Sequence, residues 1–471
     1  MDGATNPKFL EKRLFFRLGL IIHDNSKLMV VLGLISCIFM SSLIFLGADW
    51  AEGFGEDDVE SVNAGRLISE RFSTDENESS RNFRYIVYHP TYNDSDLSWQ
   101  TEVINALEAF ENHPNVNITY SWQVDEIHRE KFVVQDETGF YAINDVFIKV
   151  NRKEAKQILD DLHETIVVDD DFNGWITDGI SVDWKFDYLI KKDLIKAELV
   201  AGPLTILILG LIFGSVFAAL LPFGIGVGTV VAAIGMTIWL SNVTDVTVYA
   251  TNIVSLIGIG VSIDYSLFLV NRFREELDRG HDVRIATAMS CATAGKAVFY
   301  SGITVAIGLM GMLFFTNTSL PSLGIGGTIA VTIAMIYSTI VLPAVMAILG
   351  HRVNKWKIPY SFDMSAKDDG IWASIAKKVM DRPWAVLIPT LILLIGAGLP
   401  FAYAEFSLSS WKALPPDEET RQGMELIDEK WPNQAANSIY IFIETDGEDP
   451  LLEENIRVQY AYIKELLNDT R

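Results

Sequence analysis

Seven long apolar runs constrain this chain more than anything else in it. A run of about 20 mostly apolar residues is long enough to cross a bilayer as a helix. The first run is 28–48, "LMVVLGLISCIFMSSLIFLGA". The others are 199–213, 216–240, 248–270, 297–315, 320–349 and 383–404. Hydrocarbon offers the backbone no hydrogen-bond partner, so each run is expected to be helical. A mean hydropathy of +0.24 with 21% charged residues fits apolar blocks alternating with polar ones.

The loops set the expected orientation. Lys8, Lys12, Arg13, Arg17 and Lys27 precede the first run, which is too long for a signal peptide and reads as a retained anchor. Arg272, Arg274, Arg279, Arg284 and Lys296 lie between runs four and five. Arg352, Lys355, Lys357, Lys367, Lys377, Lys378 and Arg382 lie between six and seven. The short loops "SNVTDVT" and "TNTS" carry no basic residue. This positive-inside pattern places the N-terminus in the cytoplasm of a multi-pass protein of the cytoplasmic membrane. Residues 49–193 then lie outside. They hold 32 Asp and Glu against 13 Lys and Arg, much of the formal net charge of -24. That balance excludes a nucleic-acid partner, because phosphate backbones recruit basic surfaces.

The expected organisation follows. A cytoplasmic tail (1–27) leads into span one (28–48). An extracytoplasmic α+β domain (49–193) comes next, then a five-span block (194–349), a cytoplasmic linker (350–382), span seven (383–404) and the start of a second outer domain (405–471). Within the first outer domain, 57–72, "LSWQTEVINALEAFENH" and "RKEAKQILDDLHE" read as amphipathic helices. "RYIVYH" and "NDVFIKV" alternate as half-buried strands. The plan then restarts. "HDNSKLMVVLGLI" at 23–35 resembles "MDRPWAVLIPTLILLI" at 380–395, and "LISERF" at 67–72 resembles "LIDEKW" at 426–431. An even number of spans per copy makes this a parallel repeat. The second copy stops at Arg471, so the chain is expected to be a fragment or a short gene product.

Enzyme chemistry has no foothold. The seven histidines all lie outside the apolar runs, and no pair has the tight spacing of a metal site. Cys37 and Cys291 read as small hydrophobes. There is no Walker motif, nucleophile elbow or HExxH, and "GIGVGT" at 224–229 is a packing feature inside a span. No catalytic residue, metal or cofactor is expected.

One residue breaks the apolar pattern. Asp264 sits within "LIGIGVSIDYSLFLVNRFREEL", inside the fourth run. A carboxylate there costs about 2.5–3.5 kcal/mol on insertion scales, and ionisable residues within spans are functional by default. Gly260, Val261, Leu267, Phe268 and Asn271 share its helix face by i±3 and i±4 spacing. Gly258 and Gly260 read as helix-packing glycines, with Ser262 and Ser266 in an adjacent small-residue stripe. These place Asp264 in a helix–helix seam, where it could load and release a proton. Tyr265 supplies a hydroxyl for the same relay. Ser301 and Thr304 on the fifth span form a second shell, although hydroxyls also bond to their own helix backbone. The competing structural reading pairs Asp264 with Lys296.

These residues carry a resemblance. "GIGVSIDYSLFLVNRFREEL" is similar to the fourth-span signature of the MmpL branch of the RND superfamily, and "GKAVFYSGITVAIGLMGMLFF" (295–315) to its fifth-span segment. The five-span block also resembles the sterol-sensing domain shared with Patched-type proteins. The resemblance implies a polytopic helical protein with a porter-like outer domain. It implies proton-driven export of lipids or other hydrophobic molecules, with Asp264 and Tyr265 as the first half of the relay. The matching pair would belong to the remainder of a second repeat, absent here. Implied partners are membrane lipids, a lipidic substrate, protons, that second repeat and a homo-oligomer. The alternatives are a Patched-like lipid sensor, a SecDF-like protein-export accessory and a membrane scaffold.

Overall fold

The computed structural model describes residues 14–51, 63, 64, 67, 81–169, 171–315, 319–356, 371–404, 411–432, 441, 443, 445 and 449–468. The helix expected at 57–72 falls largely outside them. The chain divides into two compact units, 1–59 with 194–399 and 60–193 with 400–471.

The elements run in order: α1 (Leu14–Asp24), α2 (Ser26–Ser42), β1 (Arg81–His89), α3 (Leu97–Glu111), β2 (Val116–Thr119), β3 (Val133–Gln135), β4 (Phe140–Ile148), α4 (Arg152–Leu162) and β5 (Asn173–Thr177). Then come α5 (Ile180–Phe213), α6 (Val216–Ser241), α7 (Tyr249–Asp278), α8 (Val283–Ser290), α9 (Lys296–Met310), α10 (Leu320–Ile336), α11 (Leu342–Leu349), α12 (Ile371–Asp381), α13 (Pro383–Gly398), α14 (Glu419–Lys430) and α15 (Glu453–Asn468). Single π-helical turns, Cys291–Gly295 and Tyr337–Val341, join α8 to α9 and α10 to α11.

Among the described residues, seven helical stretches are long and apolar enough to cross a membrane: Ser26–Leu46, Ile180–Phe213, Val216–Ser241, Tyr249–Asp278, Val283–Phe314, Leu320–Asn354 and Pro383–Tyr403. One lies over each expected run. The second begins at Ile180, well before 199, because the charged stretch "DWKFDYLIKKDLIKAE" continues the helix N-terminally. The tail before span one holds α1.

In the membrane unit, α7 lies against α6 and α10. Buried hydroxyls link the helices. Thr229 of α6 meets Ser262 of α7 at 3.1 Å, Ser266 of α7 meets Ser338 of the second π turn at 3.2 Å, and Ser36 of α2 meets the Tyr337 hydroxyl at 3.0 Å. Between apolar helices such bonds contribute about 0.6 kcal/mol each. A double-mutant cycle on Ser266→Ala and Ser338→Ala, read by unfolding in detergent, should return a coupling of about that size. A coupling indistinguishable from zero would mean that the contact does not register the helices.

In the outer unit, β1 pairs antiparallel with β4 and β5, and β4 pairs antiparallel with β2 and β3. The order β2-β4-β1-β5 with two intervening helices is the split β-α-β arrangement of ferredoxin-like sheets. Strand alternation assigns one face to Phe83, Tyr85, Val87, Val146 and Ile148, which pack with Trp99, Val103, Leu107, Phe110 and Leu159 of α3 and α4. The other face carries Ile86 level with Ile143 and Trp175. That face is covered by α14, through Met424, Ile427 and Trp431, with Trp411 beside them. The N-terminus of α14 also closes the β5 edge. Glu419 Oε1 accepts from Ile176 N–H at 2.6 Å, and Thr177 Oγ1 donates to the Thr420 carbonyl at 2.9 Å.

Burial pushes the Glu419 carboxyl up from its ordinary value, against the pull of the Ile176 hydrogen bond. Burial likewise raises Asp145 against Arg84, and Asp94 against Arg129. A carboxyl with a raised pKa keeps its proton longer in the folded state. Stability therefore falls as pH rises from the ordinary carboxyl range, about 4, through the raised value. The outer unit should lose melting temperature across that window. Glu419→Gln keeps an acceptor for Ile176 and should flatten the fall; an unaltered pH slope would assign it to other groups.

Candidate functional site

The hydroxyl bonds fix how α7 is rotated. Ser262 and Ser266, one turn apart, are fully buried against α6 and the second π turn. At 100° per residue, position 264 points about 200° away from both. Asp264 is accordingly exposed on the outer face of the bundle, together with Gly260 and Phe268. This corrects the expected placement: no seam between described spans encloses the carboxylate. Among the described residues Asp264 has neither an ion pair nor a hydrogen-bond partner, so the pairing with Lys296 does not form either.

The two glycines separate as well. A Cβ on Gly258 would lie 3.0 Å from Val230 Cγ2, so the helices do approach closely there. A Cβ on Gly260 would meet nothing within 4 Å. Gly260 shares the open face with Asp264 and is not a packing glycine among the described residues.

Tyr265 turns the other way and is 8% exposed. It lines a cleft of about 170 Å³ between α7 and α9, with Phe268, Ala294, Ala297, Val298 and Ser301. The structure thus brings Ser301 to Tyr265, one residue from Asp264. Thr304 donates to the Tyr300 carbonyl at 2.9 Å, the backbone bond open to any helical hydroxyl. A wider cleft of about 360 Å³ continues past Phe268 and Ala294 to Asn271, Arg272, Glu275 and Thr293. Apolar walls near Tyr265 give way to charged ones at the end of α7.

That charged end of α7 holds a buried carboxylate. Glu276 is fully buried. Its carboxylate lies 2.5 Å from Arg272 Nη2, 2.9 Å from Arg279 Nη1 and 2.7 Å from His281 Nδ1. The signal was present in "RFREELDRGH", where arginines stand four residues before and three after the acid, on one helix face. Arg274 donates to Asn354 Oδ1 at 2.7 Å and to the Phe213 carbonyl at 2.8 Å, fastening α7 to spans two and six. Among the described residues no cluster of His, Cys, Asp and Glu could hold a metal ion.

An unpartnered carboxylate beside a buried tyrosine, on the middle helix of a five-span block that follows an α+β outer domain, calls for comparison with known membrane proteins. The sequence profile of the MMPL family matches residues 53–386. The chain belongs to the MMPL family. Among curated MMPL relatives, the trehalose monomycolate exporter MmpL3 of Mycobacterium tuberculosis is 31% identical over 293 residues, 57% of this chain and 31% of that protein. The mycolic acid-containing lipids exporter MmpL11 of Mycolicibacterium smegmatis is 35% identical over 260 residues, 55% of this chain and 27% of that one. A putative membrane protein of Streptomyces coelicolor is 30% identical over 266 residues, 56% of this chain and 37% of its own length. The match thus spans about a third of each relative.

Proposed function

We propose that this MMPL chain forms one repeat of a proton-driven exporter of lipids or other hydrophobic molecules across the cytoplasmic membrane, with its N-terminus in the cytoplasm. The observation that carries the reading is the Asp264 carboxylate, set among apolar residues of α7 with no partner among the described residues. A charge facing acyl chains is unfavourable, so the open face of Gly260, Asp264, Phe268 and Asn271 needs a second helical body against it. The remainder of the second repeat supplies that body. Asp264 then changes protonation as the two bodies rock, with Tyr265 behind it to share the proton and Ser301 across the cleft as a further hydroxyl. Lipid export by MmpL3 and MmpL11 supports the substrate class.

The reading is tested in liposomes containing the full-length protein with both repeats, a fluorescent lipid and an imposed pH gradient. Lipid movement should follow the gradient and stop when an ionophore collapses it. Movement that ignores the ionophore would overturn the proton coupling.

A further inference from the structure

The short helix α1 does not trail free. Phe16 is buried against Ala288, Met289 and Ala292. Asp24 accepts two hydrogen bonds from Arg284, both 2.8 Å. These contacts hold α1 on α8 and the first π turn, one residue before the membrane-crossing α2 begins. Its outward stripe is Leu14, Arg17 and Ile21, continued by Leu28 of α2, and every apolar member of it is at least half exposed. At the head of the fifth span, Phe15 packs on Phe299 and Tyr300 with ring centres 5.5 and 6.3 Å apart. Lys296 Nζ stands 5.9 Å from the Tyr300 ring centre. Lys296 is exposed, and among the described residues no carboxylate lies within ion-pair distance of it. From Val283 to Met310 the sequence has no Asp or Glu at all.

We infer that α1 and the head of the fifth span form a seat for an anionic phospholipid, with the phosphodiester at Lys296 and the glycerol region over Phe15, Phe299 and Tyr300. Three observations select this occupant. The cation is unneutralised, which suits an anionic head. A tyrosine beside a basic residue, as Tyr300 is beside Lys296, is a pairing suited to the membrane interface. The apolar stripe runs on from α1 into a helix that already crosses the membrane. The seat does not depend on the transport reading.

The test uses the full chain in nanodiscs of equal phosphatidylglycerol and phosphatidylcholine, with retained lipid counted by native mass spectrometry. The protein should retain phosphatidylglycerol preferentially. Lys296→Gln should lower that preference about fivefold, the weight of one basic side chain at an anionic surface. Lys296→Arg should preserve it, and Lys464→Gln, in the outer unit, should leave it unchanged. Equal preference in wild type and Lys296→Gln would overturn the seat. Displacement by inorganic phosphate would make it an anion site, and a dimer in place of bound lipid would make the occupant a second copy; either result overturns the inference.

Discussion

Asp264→Asn should abolish proton-coupled lipid movement while leaving the fold intact. The amide has nearly the carboxyl's shape, and the carboxylate holds no partner among the described residues, so its removal breaks no internal bond. What disappears is the ability to bind and release a proton. One charge crossing 100 mV supplies about 2.3 kcal/mol, which sustains a gradient of about 50-fold. The variant should lose that whole factor, with an unchanged unfolding transition. Tyr265→Phe should give a smaller loss, because it removes a hydroxyl next to the proposed proton carrier and not the carboxyl itself. Activity retained in Asp264→Asn would overturn the proton role proposed for this carboxylate. Activity lost together with the unfolding transition would return Asp264 to a structural role.

The seven membrane helices were legible because apolar length is a one-dimensional property, recorded in order along the chain. The strands at Arg81–His89 and Phe140–Ile148 and the helices α3 and α4 were legible for a similar reason, since their periodicity is local. The direction of Asp264 was harder. Its helix face could be written down from spacing, but not which face meets the bundle. Ser262 and Ser266 decide that, through partners 33 and 72 residues away in sequence. Had the serines been read as hydrogen-bonding groups seeking buried partners, and not as small residues, the outward carboxylate would have followed. Glu276 was overlooked because a charged stretch after a span reads as solvated. Only its burial beneath Arg272, Arg279 and His281 shows otherwise. Helix α14 lies beyond local reasoning altogether, because its role is to cover a sheet more than 240 residues earlier.

That coverage leads to the second large effect. The sheet has two faces, and α3 and α4 cover one of them. The other presents Ile86, Tyr141 and Ile143, all buried in one cluster with Met424 and Ile427 of α14 and the flanking Trp411 and Trp431. Ile427 is fully buried at the centre of that contact, so Ile427→Ala should cost about 2–5 kcal/mol. Gly423 tests the same contact from the opposite side. A Cβ there would lie 2.6 Å from Thr177 Cβ, and the neighbour is attached to strand backbone that β1 holds in register. Gly423→Val therefore cannot be absorbed by a side-chain rotation, and should cost about 1–3 kcal/mol through overpacking. Both changes should raise amide exchange throughout α14, Ile427→Ala by about 30-fold or more and Gly423→Val by about fivefold or more, since each 1.4 kcal/mol is about tenfold in an opening equilibrium. Asp428→Ala, on the exposed side of the helix, should change exchange little, within about 0.5 kcal/mol. A cavity and an overpacked glycine are opposite steric errors, so the same loosening from both would identify the docking surface itself. Unaltered exchange in the two variants would mean that the second face of the sheet is not held by α14.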